Sequence, residues 1–164
     1  MSKKLEGNGL WESSRMMLPQ HKEQSMQNQS DQPHLALEPP TKKDLQMMRD
    51  FVILPFALKI VEKKSIEVEM SSLTLKLLYS SAAKILAKCM REDVQKSKKI
   101  LVERHIRVFE DSKDDTELIY RYICRGHEDR FVVTKDFMRE EISRRIGSYA
   151  KSLIVILQEA MKSK

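Results

Sequence analysis

Cysteine is scarce in this sequence. Only Cys89 and Cys124 occur among 164 residues, too few for the disulfide framework of a small secreted domain. No apolar run follows the opening lysines, so a secretory signal is not indicated and a cytoplasmic location is expected. Long hydrophobic runs are missing as well. The longest, Phe51 to Leu58 continuing past Lys59 to Val61, is about half the roughly 20 residues a membrane span needs, so no membrane is expected. Glycine is rare, with four in the chain. There is no G-x-x-x-x-G-K-[ST] loop, no G-x-G-x-x-G after a strand and no H-E-x-x-H helix. The usual signatures of nucleotide hydrolysis, dinucleotide redox chemistry and metalloproteolysis are therefore wanting, and an enzyme is not expected.

Charge, in contrast, is plentiful and unevenly placed. The net charge is +6, but residues 1–40 hold four Lys or Arg against five acids, which leaves 26 against 19 for the remainder. The body is basic and the N-terminal extension is not. Such a surplus permits contact with nucleic acid or an acidic partner and also serves solubility.

Three parts follow from composition. Residues 1–24 carry the only tryptophan, residues 25–41 form a Pro/Gln/Ser-rich connector, and residues 42–164 read as one helical α+β domain. Thr41 is a fitting N-cap for a first helix through about Lys64, with Asp44 in its first turn and Pro55 expected to kink or divide it. From Leu73 to about Glu103, the residues Leu75, Leu78, Ala82, Ile85, Leu86, Cys89, Met90, Val94 and Leu101 recur at helical spacing, which predicts a long amphipathic helix capped by Ser71 or Ser72.

The period then changes. His105–Phe109 and Leu118–Arg125 are rich in β-branched and aromatic residues, and Arg130–Val133 adds a third short run. A small antiparallel sheet of two or three strands is expected, with Glu110 to Asp115 as one loop and Gly126 to Asp129 as the other. Thr134 caps a last helix from Lys135 to about Met161. Its stripe of Met138, Ile142, Ile146, Tyr149, Leu153, Leu157 and Met161 should pack on the long helix.

Few residues suggest chemistry. Cys124 and His127 have the spacing of half a metal site, with Cys89 and His105 as the remaining candidates, but no second close pair exists. Two buried small hydrophobes are the simpler reading of the cysteines, and neither metal nor cofactor is expected. An arginine near the strand end, Arg125 or Arg130, suits a buried carboxylate pair that pins sheet to helices, or else a phosphate corner. Lys88, Arg91, Lys98 and Lys99 on the long helix, with Arg144 and Arg145 on the last one, are candidate phosphate contacts if the two sets share a face.

Two resemblances add to this. The string Gly9-Leu-Trp-Glu-Ser-Ser-Arg-Met-Met-Leu-Pro-Gln-His-Lys22, within residues 5–23, resembles the opening motif of the bacterial YolD-like family. Members of that family tend to be encoded beside Y-family DNA polymerases and are predicted to play the part of the UmuD subunit in translesion synthesis. The resemblance implies a DNA-damage setting, with a polymerase of that class as a protein partner. On this reading Trp11, Arg15, Met16, Met17, Leu18 and His21 bind the partner, Trp11 and the methionines as apolar anchors on a short helix that Pro19 ends. The same residues would equally suit docking on the protein's own helices. Residues 50–153, in turn, resemble the uncharacterised YhjD-like proteins of bacteria. Leu54-Pro55-Phe56, Ile106-Arg-Val, Asp114-Asp115-Thr116 and Tyr122-Ile-Cys-Arg-Gly126 carry that likeness, which implies no activity.

A non-enzymatic accessory protein is thus expected, binding its partner through the N-terminal motif. A direct nucleic-acid binder and a self-associating structural module are the alternatives.

Overall fold

The structure is a computed structural model that describes residues 38–163. Three helices of 28 residues each and one sheet make up this part: α1 (Lys42–Glu69), α2 (Lys76–Glu103), β1 (Ile106–Lys113), β2 (Glu117–Cys124), β3 (His127–Thr134) and α3 (Lys135–Lys162). The fold is α+β and mostly helical, as the periodicities predict. Residues 1–37, which include the YolD-like stretch and most of the connector, lie outside the described residues.

Helix α1 begins where the sequence places it. The Thr41 hydroxyl accepts from the Asp44 backbone N–H at 3.1 Å, and the Asp44 carboxylate accepts from the Thr41 N–H at 3.0 Å. This capping box satisfies two N–H groups that a bare helix end leaves open. The helix then runs past Lys64 to Glu69, and Pro55 does not divide it. Proline removes one hydrogen bond of the ladder, while Ile53, Leu54 and Ala57 around it are buried and hold the backbone in place.

The turn to α2 also departs from expectation. Helix α2 starts at Lys76, and its N-cap Leu75 makes no side-chain cap bond. Ser71 is occupied elsewhere, donating its hydroxyl to the Val68 carbonyl at 2.6 Å. A serine beside two helix ends can serve either one, and sequence does not say which.

The three strands pair antiparallel in the order β1-β2-β3. Each has eight residues, as expected for β2 but longer than predicted for β1 and β3: Glu110 to Lys113 belong to β1 through a bulge between Glu110 and Ser112, and β3 begins at His127. Strand β2 alternates without fault, with Leu118, Tyr120, Tyr122 and Cys124 buried. Tyr120 stacks on Phe131 at 5.5 Å between ring centroids. The β2–β3 turn is Arg125-Gly126, not Gly126 to Asp129, and both residues have positive φ (49° and 88°). That is the backbone of a two-residue hairpin whose twist matches its strands.

One core joins the inner sheet face to Met48, Val52, Ile53, Ala57 and Val61 of α1 and to Ala87, Met90 and Leu101 of α2. Helix α3 adds Met138 and Ile142. It packs chiefly along α1, with fewer contacts to α2 than its stripe suggested. It lies antiparallel to α1: Met138 and Ile142 share a cavity with Phe56, Arg145 bonds Asp50, and Tyr149 reaches the cleft beside Met47.

Candidate functional site

Asp44 is the most connected polar group of the body. Its side chain is 1% exposed, and it receives Arg104 Nη1 at 2.8 Å and Arg125 Nη2 at 3.0 Å besides both Thr41 donors. Burial by itself raises a carboxyl pKa; here the hydrogen bonds from Thr41, Arg125 and Arg104 overcome it and hold Asp44 well below the ordinary carboxylate range. The three partners come from the α1 cap, the end of α2 and the β2–β3 turn. This is the sheet-to-helix pin that the arginines near the strand end suggested, made by Arg125 with a carboxylate eighty-one positions away. Its chemistry is structural, since every oxygen is engaged.

Two of the hollows that border α3 combine apolar and charged walls. The larger, of about 630 Å³, has an apolar floor of Phe56, Leu118, Met138 and Ile142 under a rim of both charge signs. Asp114 on that rim is held by the N–H groups of Thr116 and Glu117, both at 2.7 Å, which lower its pKa and lock the β1–β2 turn. The smaller, of about 330 Å³, lies between α1, α2 and α3 and includes Asp50, Asp93, Lys96, Arg145 and Tyr149. There the Tyr149 hydroxyl donates to Asp93 Oδ2 at 2.6 Å, and Arg145 bonds Asp50. Burial first, and then the bond to Asp93, push the Tyr149 phenol far above its ordinary range.

The cysteines differ from the sequence reading. Cys124 is fully buried, and burial raises its thiol pKa. Cys89 is exposed. It sits on the predicted stripe, but on a face of α2 turned away from Ala87 and Val94, which are buried. Among the described residues, no group of three or more His, Cys, Asp and Glu is placed to hold a metal ion.

The candidate phosphate contacts are scattered. Arg91 pairs with Glu62 of α1 at 2.6 Å, Arg144 with Glu141 at 2.6 Å, and Lys99 with Glu103 at 3.9 Å. Arg145 is mostly buried between Asp50 and Glu141. Lys88 and Lys98 are exposed, and neither forms an ion pair among the described residues. Of the six, Arg144 and Arg145 border a common hollow, together with Asp93. Trp11, Arg15, Met16, Met17, Leu18 and His21, the residues expected to bind a partner, lie outside the described residues.

The surface feature that sequence reasoning missed is apolar. In the half of the α1–α2 hairpin nearest its turn, the buried residues include Ser65, Ser80 and Ala87. The larger side chains Ile60, Leu75, Leu78, Tyr79 and Ile85 are 43–61% exposed. Small residues share the helix–helix contact with Val61 and Met90, which are buried, and several large apolar side chains on the other faces stay exposed. Helix α3 shows the same at its other end. Ile154, Val155, Ile156, Leu157 and Met161 are 50–73% exposed. Ile154 to Leu157 are consecutive and so face different ways round the helix; exposed apolar side chains gathered into a patch mark places where proteins bind.

No helix among the described residues is long and apolar enough to cross a membrane. No curated protein and no solved structure matches the chain. A family model described as YhjD protein matches residues 39–154, which is most of the chain, and the chain belongs to that family.

Proposed function

We propose that this member of the YhjD family is a non-enzymatic accessory protein of the bacterial cytoplasm that works by binding other proteins. The observation that carries this reading is the exposed apolar set of the α1–α2 hairpin, where Leu75, Leu78, Tyr79 and Ile85 are 48–61% exposed. Keeping side chains of that size in water is unfavourable, and their burial against a partner would be worth about 1.5–3 kcal/mol each at full burial. The body is a rigid platform, pinned at Asp44, that presents such a surface.

The likeness of residues 9–22 to YolD-like proteins supports a setting in the DNA-damage response or translesion synthesis, with a Y-family DNA polymerase as partner. Trp11, Met16 and Met17 supply the anchors in that reading. The test is a titration of the purified polymerase from the same bacterium against the intact chain and against the double variant Trp11→Ala, Met17→Ala. Binding weakened at least tenfold by the double variant is expected. Equal binding by both chains would count against the motif, and no binding by either would count against the polymerase.

A further inference from the structure

We propose that the larger hollow beside α3 is a binding site for a small amphipathic carboxylate, an acid whose hydrocarbon body lies on the apolar floor and whose charged head meets Lys135 and Lys113.

The floor gives the first reason. Leu118, Met138 and Ile142 are buried, and Phe56 of α1, which lines the same space, is 40% exposed. The hollow measures about 630 Å³. That lies within the range of roughly 300–1,000 Å³ that small-molecule sites occupy, and such sites combine an apolar lining with a few placed polar groups.

The rim gives the second reason. Lys135, Met138, Arg139 and Ile142 recur at three- and four-residue spacing, so they share one face of α3. That face is cationic at the helix start and apolar at Ile142. Lys113 of β1 stands opposite Leu118 of β2 in the sheet register, which brings a cation from a second element beside the floor. The backbone N–H of Lys135 donates to the Thr116 carbonyl at 2.9 Å. The start of α3 is thereby fixed against the β1–β2 turn, and the cations of both elements border one apolar surface.

Charge selects the sign of the head. Lys113 and Lys135 form no ion pair among the described residues, and Arg139 meets Asp136 of its own helix, at 3.5 Å. The Asp114 carboxylate is engaged by the N–H groups of its turn. Glu110 and Asp115 also stand on the rim, so three cations face two open carboxylates. The positive end of the α3 dipole lies on the same side. An anionic head is favoured there, and an uncharged tail suits the floor.

The experiment titrates the full chain with decanoate below its micelle concentration and at low ionic strength, read by calorimetry and by the methyl resonances of the methionines. Saturable, equimolar binding is expected, with the Met138 methyl shifting and the methyl of Met90, which does not line the hollow, unmoved. Lys113 is exposed and Lys135 partly so, and their alanine variants should keep the helical circular dichroism of the parent. Lys113→Ala and Lys135→Ala should each bind roughly threefold to fivefold more weakly, the worth of one exposed ion pair. Lys88→Ala, which removes an exposed cation of α2 away from the hollow, should bind as the parent does. Absence of saturable binding overturns the site, and so does a Met138 methyl that stays in place. Decanol binding as tightly as decanoate, or lysine variants binding as the parent does, would show that the lysines recognise nothing. Decylammonium binding more tightly than decanoate would show that Glu110 and Asp115 set the sign. Any of these results overturns the carboxylate.

Discussion

Asp44 in the first turn of α1 lies 3.0 Å from Arg125 in the β2–β3 turn, and this contact joins the first helix to the sheet. Replacing Asp44 by Ala strands Arg104 and Arg125 and opens the capping box. A loss of about 3 kcal/mol is expected, near the lower end for a broken buried pair because Arg104 keeps contact with water. Urea unfolding checks it. Arg125→Ala should cost less, about 1–2 kcal/mol, since Arg104 and Thr41 still hold the carboxylate.

The same carboxylate makes stability depend on acid. Its folded pKa is depressed, so its contribution is complete above the unfolded value of about 3.9 and is lost as pH falls through the folded value. The stability gap between the parent and Asp44→Asn should be constant from neutral pH down to about pH 4 and should narrow below it. Paired urea titrations at neutral and acid pH measure the gap. An unchanged gap at low pH would show that Asp44 is not the responsible group.

Pro55 sits inside an undivided helix, where proline is about 3 kcal/mol less favourable than alanine. Pro55→Ala should therefore raise stability by about 1–3 kcal/mol and shift the thermal midpoint upward. A lowered midpoint would mean that ring packing outweighs the missing hydrogen bond.

The two thiols should react at different times. Cys89 is exposed and Cys124 is fully buried with a raised pKa. A thiol reagent added to the native protein should modify Cys89 promptly, and Cys124 only at the rate of unfolding. Mass spectrometry after timed labelling distinguishes them, and early modification of Cys124 would contradict the packing.

Tyr149 links α3 to α2 through Asp93 at 2.6 Å. Tyr149→Phe should cost about 1–2 kcal/mol by urea unfolding, as expected for a lost hydrogen bond to a charged acceptor at a half-buried site. Burial raises the pKa of Tyr120 and Tyr122 as well as Tyr149. The stability these phenols contribute is present below their ordinary value near 10 and is lost as pH rises through the folded values. Phenolate absorbance should therefore develop together with loss of helical signal.

Local chemistry made much of the fold legible. Thr41 and Thr134 cap helices as read, because a cap needs only residues within one turn. The alternation of Leu118, Tyr120, Tyr122 and Cys124 predicts one buried face of β2, and the structure buries it. The candidate site was less legible. Periodicity placed Leu78, Ile85 and Cys89 on one apolar stripe of α2, but it reports a face and carries nothing about what lies opposite. The cations failed to announce their partners for a similar reason: Arg91 meets Glu62 across two helices, and Arg145 meets Asp50 across ninety-five positions.

What the sequence by itself determined is therefore the set of elements: three helices, two of them with an apolar stripe, and a small antiparallel sheet, in a basic body. Spacing, capping and turn chemistry act over a few residues, and they are written where they act. Only the tertiary structure decided which carboxylate Arg125 would seek, that α3 would lie chiefly on α1, and which face of α2 would be buried. Those outcomes depend on the lengths and crossings of whole helices, so that a leucine is buried or bare according to a neighbour many residues away.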